Sequence, residues 1–207
     1  MRDYISKINP EEYSIEPDKI KQFIEKVDSP NTLFALVEDY NVLRELVHIL
    51  DSLEDEFESP VIYIEFDESN LDWDGVIIPI AHALIRYIEE CKIDSEELNN
   101  YSKYLEYVIE NSGGLRSSHV EQTLELIDKI PKYTKKSLFI VFTNFEHILN
   151  MKTSLYRPDG VLRGIFQLFG DSVSLNLIIN SEDAFFKIFH DREAPFYRGG
   201  ALINFVK

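Results

Sequence analysis

An α/β fold, with a five-stranded, mostly parallel sheet and helices on both faces, is predicted by three features of the 207-residue sequence. Leu138 to Phe142 is an unbroken apolar run, bounded by Lys135-Lys136-Ser137 and Thr143-Asn144, as expected of a strand covered on both faces. Further strand-like runs stand at Thr32 to Val37, Val61 to Phe66, Leu175 to Ile179 and Ala201 to Val206. The segments between them carry apolar residues at helical spacing, and strands that alternate with helices assemble into parallel sheets.

Residues 1–16 are polar and are expected to be loosely ordered. Pro17 suits a first helical position, and Ile20, Phe23, Ile24 and Val27 after it fall at the spacing of one buried stripe, ended by Ser29-Pro30-Asn31. After the first strand, Val37-Glu38-Asp39-Tyr40-Asn41 reads as a tight connection into a helix from about Asn41 that buries Val42, Leu43, Leu46, Val47, Ile49 and Leu50. Glu54-Asp55-Glu56-Phe57-Glu58 then reads as a solvated loop, because hard-cation loops place ligands at defined offsets and use a glycine turn. Asp67, Glu68, Asp72 and Asp74 are discounted as metal ligands for the same reason. Val76 to Cys91 forms an apolar helix with His82 as a satisfied interior histidine rather than a ligand.

From Ile93 to Ile130 the pattern is a helical insertion between two strands. Leu98, Tyr101, Leu105, Val108 and Ile109 make one stripe, stopped at Ser112-Gly113-Gly114, and Ser118 with Glu121 reads as a capping box for the next. Tyr101, Tyr104 and Tyr107 recur along one side, either as a partner surface or as packing for the insertion's own neighbours. Beyond the central strand, Tyr156 to Gly160 reads as a loop, followed by helices at Val161 to Phe169 and Ala184 to Phe189.

Composition narrows the function classes. With 44% apolar residues the chain can bury one sizeable core as a single domain. The lone cysteine, Cys91, forms no internal disulfide, and the N-terminus lacks the apolar stretch of a signal peptide. The longest apolar run, Val76 to Leu84, is too short to span a bilayer, so a cytoplasmic location without membrane contact is expected. A formal charge of −16 argues against a general grip on nucleic acid, which draws its energy from Lys and Arg on phosphates. Lys129, Lys132, Lys135 and Lys136 form the one dense basic run and read as the solvated approach to the central strand.

The C-terminal segments carry a resemblance. Leu177-Ile178-Ile179-Asn180-Ser181, Phe185-Phe186-Lys187-Ile188-Phe189-His190-Asp191 and Ala194-Pro195-Phe196-Tyr197-Arg198-Gly199 resemble the sensor strand, the helix ending in an Ile-Phe pair and the Pro-Leu/Phe-Tyr-Gly-Arg element of the archaeal ATPase family, within the AAA+/STAND-type P-loop ATPases. The central strand followed by Phe145 resembles that family's Walker B region, with Thr143 at the Asp position, Asn144 at the Glu and Glu146 at the Gln. The likeness spans about residues 17–207 and implies a P-loop NTPase-like core.

The departures carry most of the functional content. A Walker A motif needs glycines so that backbone amides wrap phosphates, a Lys for the terminal phosphates and a hydroxyl for magnesium. The corresponding turn, Val37 to Arg44, has neither a glycine nor a Lys-Ser/Thr pair, and puts Glu38 and Asp39 where a polyphosphate would lie. Unit charges about 4 Å apart repel by about 4 kcal/mol at an effective dielectric near 20, about half of a micromolar binding energy. Thr143 and Asn144 replace the carboxylates that would hold magnesium and activate water. The Arg198-Gly199 order reverses the family's Gly-Arg, and the sequence ends at Lys207, where family members continue into a helical lid and a winged helix.

The expected nucleotide positions, read as degenerate and non-functional, are therefore Glu38, Asp39, Asn41, Arg44, Thr143, Asn144, Asn180 and Arg198, with no cofactor, metal or catalytic group assigned. The preferred expectation is a pseudo-ATPase that acts by binding a protein, such as a catalytically competent relative. The alternatives are residual nucleotide binding, a DNA-associated role by analogy with related ATPases, and an enzyme using another site. For that last, His119, His147 and His190 have neighbouring carboxylates, and His147 beside Glu146 is the best placed general base.

Overall fold

The computed structural model describes residues 12–27, 33–57, 61–66, 72–135, 138–151, 158–167, 169, 173–197 and 199–206. Its elements run α1 (Pro17–Val27), β1 (Leu33–Leu36), α2 (Tyr40–Phe57), β2 (Val61–Glu65), α3 (Trp73–Cys91), α4 (Glu96–Glu110), α5 (Ser117–Thr134) and β3 (Leu138–Thr143). A 3-10 helix at Phe145–Asn150 follows, then α6 (Pro158–Phe166), β4 (Val173–Ile179), α7 (Glu182–Phe185) with a π turn at Phe186–His190, and β5 (Ala201–Asn204). All five predicted strands lie side by side in the order β2-β3-β4-β1-β5, and every pairing is parallel.

Alternation along each strand divides the core between the two faces. Leu33 and Ala35 of β1, Phe139 and Val141 of β3 and Ile178 of β4 pack with α1 and α2. Phe34, Leu36, Ile140, Phe142, Leu175 and Leu177 face the other way, toward α3, α4, α5, α6 and α7. Residues of β1, β3 and β4 are buried throughout, as the unbroken apolar runs require, whereas the edge strands β2 and β5 are only partly covered. Two polar residues enter the middle of β4. Ser174 Oγ donates to the Val27 carbonyl at 2.6 Å, which ties the sheet to the end of α1, and Asn176 Nδ2 donates to the Ile140 carbonyl at 3.3 Å.

Several local expectations are corrected. Residues 54–57 are not a loop, because α2 continues to Phe57. Pro158 to Gly160 begin α6 instead of ending a loop, in keeping with Pro at a first helical position. His82 is exposed on α3, not interior. The cap of α5 is not Ser118: the helix starts at Ser117, and the Arg116 N–H donates to His119 Nδ1 at 3.1 Å, so a ring nitrogen takes the orphan amide. Asp72 is the N-cap of α3, accepting from the Gly75 N–H at 3.0 Å, and the Asp74 carboxylate accepts from the Gly113 N–H at the α4–α5 turn. Gly113 itself has φ +88°, the left-handed conformation that its stop signal requires. Glu58, Asp67, Glu68 and Lys136 lie outside the described residues.

Candidate functional site

Parallel sheets bind ligands beyond the carboxyl ends of their strands, at the point where successive connections leave in opposite directions. Here the chain leaves β1 for β2 by passing β4 and β3, and leaves β4 for β5 by passing β1. The switch therefore falls between β1 and β4. Glu38, Asp39, Asn41 and Arg44 follow β1, Asn180 follows β4, and Thr143 and Asn144 close the adjacent β3.

The turn after β1 is short. Val37 still belongs to the ladder, its N–H donating to the Ile179 carbonyl at 2.9 Å, and the first helical bond of α2 runs from the Leu43 N–H to the Asp39 carbonyl at 3.0 Å. Only Glu38 and Asp39 separate ladder from helix. The Asp39 carboxylate accepts from the Asn41 N–H at 2.8 Å and so occupies the N-terminal amide of α2, where helix dipole and free N–H groups would otherwise attract an anion. Glu38, Asp39, Asn41 and Arg44 are all exposed.

At the ends of β2, β3 and β4 a chain of side-chain bonds crosses the sheet. Asn144 Nδ2 donates to Glu65 Oε1 at 2.9 Å, Asn180 Nδ2 donates to Asn144 Oδ1, and the Asn180 N–H donates to Glu146 Oε2 at 3.1 Å. The order is dictated by Glu65. An ionised carboxylate only accepts, so Asn144 must turn its NH₂ toward it, and Asn180 must then turn its own NH₂ toward the Asn144 oxygen. Asn180 Oδ1 is left buried with no hydrogen-bond partner among the described residues. Asn144 has φ +53°, a left-handed conformation that Asn tolerates better than most residues, and this swings its amide across toward both neighbours.

Of the predicted positions, Asn144 and Asn180 are brought into contact, while Glu38, Asp39, Asn41 and Arg44 share one turn. Thr143 is buried as the last residue of β3, and its carbonyl accepts from the Phe66 N–H at 3.1 Å. Arg198 lies outside the described residues. The arginine seen beside Gly199 is Arg163 of α6, whose Nη1 donates to the Gly199 carbonyl at 3.3 Å and whose guanidinium lies 5.8 Å from the centre of the Phe196 ring. Burial holds that guanidinium below the usual arginine range.

Sequence reasoning missed Glu65 and Arg163. The signal for Glu65 was available: it is the carboxyl-terminal residue of a strand whose neighbours had been singled out at the same end. Arg163 gave none, since its role depends on how α6 meets the segment after the π turn. The histidines are scattered. His147 sits half-buried in the 3-10 helix, its N–H donating to the Asn144 carbonyl at 3.1 Å. His119 caps α5, and His190 packs on Phe185, Phe186 and Phe189. No group of three or more His, Cys, Asp or Glu among the described residues is arranged to hold a metal ion.

Chemically, this end of the sheet presents carboxylates. Glu38 and Asp39 follow β1, Glu65 ends β2 and Glu146 follows β3 at this end of the sheet, and Asp39 takes the Asn41 amide at the start of α2. Among the described residues no helix is long and apolar enough to cross a membrane.

No family model matches the chain, and no curated protein is similar to it in sequence. Its fold is nevertheless found among solved structures. The Walker-type ATPase PABY2304 of Pyrococcus abyssi superposes with a TM-score of 0.59 at 12% identity, over 95% of this chain and 55% of that one. Cdc6p from Pyrobaculum aerophilum gives a TM-score of 0.48 at 12% identity, over 99% of this chain and 48% of that one. The chain thus spans about half the length of each. At this identity the likeness to the Pyrococcus protein is one of fold: the chain is built like a Walker-type ATPase core.

Proposed function

We propose that this chain is a non-catalytic form of the P-loop ATPase scaffold, working as a protein-interaction or regulatory module whose partner is another protein, such as a catalytically competent relative. The observation that supports it most is the Asp39 carboxylate on the first turn of α2. The chain supplies its own anion where a nucleotide's phosphate would be received, and the two-residue turn offers no loop of amides to wrap a second. The polar chain from Glu65 to Glu146 supports the same reading, because Asn144 and Asn180 spend their donors on the protein's own acceptors.

Isothermal titration with ATP and Mg²⁺ tests the reading. No saturable heat at millimolar nucleotide is expected, and micromolar binding overturns it. For the partner, chemical cross-linking in the native cell extract is expected to capture a protein in stoichiometric amount; a chain that runs alone under conditions that preserve weak complexes argues against the module.

A further inference from the structure

We infer that the pocket between the start of α4 and the end of α5 receives an acidic segment of a protein partner through Tyr101, Lys129, Lys132 and Tyr133. This deepens the interaction reading and rests on it, by giving it a surface and a charge. The pocket encloses about 360 Å³ and is lined by those four residues. Among the described residues its lining is unusual for a chain of formal charge −16, two phenols and two ammonium groups, with the Glu97 carboxylate near enough to act on Tyr101. The Tyr101 and Tyr133 rings meet edge to face, 5.8 Å apart at 73°. Burial, then the neighbouring Tyr133 phenol, keeps the Tyr101 hydroxyl protonated above the ordinary tyrosine range, so it remains a donor at neutral pH.

The ammonium groups are held unequally. Lys129 pairs with Glu125 at 2.6 Å and Lys132 with Asp128, each one helical turn back along α5, and among the described residues neither carboxylate lines the pocket. The Lys129–Glu125 pair, with both side chains 48% exposed, is weak and is readily exchanged for an incoming carboxylate, whereas Asp128 is only 15% exposed and holds Lys132 more firmly. The rest of the tyrosine stripe is used inside the hairpin: the Tyr104 hydroxyl donates to the His119 carbonyl at 3.3 Å, and the Tyr107 ring packs on His119. The Tyr101 end borders the pocket. That end lies toward the start of β3, away from Thr143 and the crevice. Charges beyond about 8 Å are screened at physiological salt, so the local lining, not the net charge, decides what docks there. A long polyanion such as nucleic acid would still meet the acidic remainder of the surface, whereas a short acidic segment need not.

The test is a titration of ¹⁵N-labelled full chain with acetylated hexaglutamate amide, beside hexaglutamine and inorganic phosphate. Saturable shifts confined to the amides around Tyr101 and residues 129–133 are expected, weakened at least tenfold by Lys129→Gln with Lys132→Gln and several-fold by Tyr133→Phe. All three side chains are solvent-facing enough for the variants to keep their fold, checked by an unchanged melting temperature. Absence of shifts, equal shifts with hexaglutamine, or phosphate binding as tightly as the peptide overturns the inference. A parallel MgATP titration keeps the two readings apart: nucleotide binding sinks the non-catalytic reading, while silence from hexaglutamate sinks this one alone.

Discussion

Replacing Asn144 separates two things that this residue does, bridging strand ends and adopting a left-handed backbone. Its amide makes one hydrogen bond to Glu65 and one to Asn180, and its φ is +53°. Each bond contributes a net of about 0.5–1.5 kcal/mol. A β-carbon without a local polar partner in the left-handed region costs about 1–2 kcal/mol more. Asn144→Ala is therefore expected to lose about 2–5 kcal/mol. Asn144→Gly loses the same bonds but not the strain, while its freer unfolded chain takes back about 0.4–1 kcal/mol. Glycine should then come out about 0.5–1 kcal/mol more stable than alanine. Asn144→Asp keeps the shape but sets a second carboxylate against Glu65, at a cost between about 1 and 4 kcal/mol as the effective dielectric runs from 80 to 20. That cost should shrink as pH falls from about 7 to about 4, because the repulsion itself favours protonating one member of the pair. Urea denaturation at pH 7 and pH 4, with unchanged m-values, measures all three. A glycine variant no better than alanine refutes the backbone argument, and an aspartate variant insensitive to pH refutes the contact with Glu65.

Three further outcomes follow from the packing and from the site. Phe145, fully buried, meets Phe66 and Phe196 edge to face, each with ring centres 5.5 Å apart, so Phe145→Ala should cost about 3–5 kcal/mol in a denaturant titration. Burial raises the Tyr87 hydroxyl well above the ordinary tyrosine range, with its bond to Thr134 at 2.9 Å opposing the shift. A raised pKa means that the folded state holds the proton more tightly, so its contribution is complete below the unfolded value of about 10 and is lost as pH rises above it. The urea midpoint should fall with pH above about 10, and Tyr87→Phe should flatten that slope. Restoring acids at the β3 end, Thr143→Asp with Asn144→Glu, should leave MgATP without saturable heat, because the turn after β1 is unchanged; binding would show that the β3 end alone had been limiting.

Much of the architecture was legible because it rests on period and burial. The inner strands could be found as runs such as Leu138 to Phe142, since a strand covered on both faces shows an apolar run, whereas the half-covered edge strands β2 and β5 gave a weaker signal. What stayed hidden depends on partners distant in sequence. Ser118 looked like a cap, yet the bond is made by His119, a residue type outside the usual capping set. His82 looked interior from an apolar segment, but α3 also has a solvent face. Glu65 and Asn144 are 79 residues apart, and only the β2–β3 register, with Glu65 opposite Thr143, puts them within a hydrogen bond.

A site that performs chemistry commonly keeps polar groups unsatisfied and so gives up some stability. At this crevice the balance runs the other way. Asp39 caps α2. Asn144 ties β2 to β4 through Glu65 and Asn180. The hydrogen bonds at these strand ends thus go to the protein's own groups and hold the ends together. The one group outside this balance is Asn180 Oδ1, a buried acceptor with no hydrogen-bond donor among the described residues. Glu65 sets its orientation through two amides, so removing that carboxylate, as in Glu65→Ala, frees both amides to turn and links an exposed edge residue to the polarity of the crevice.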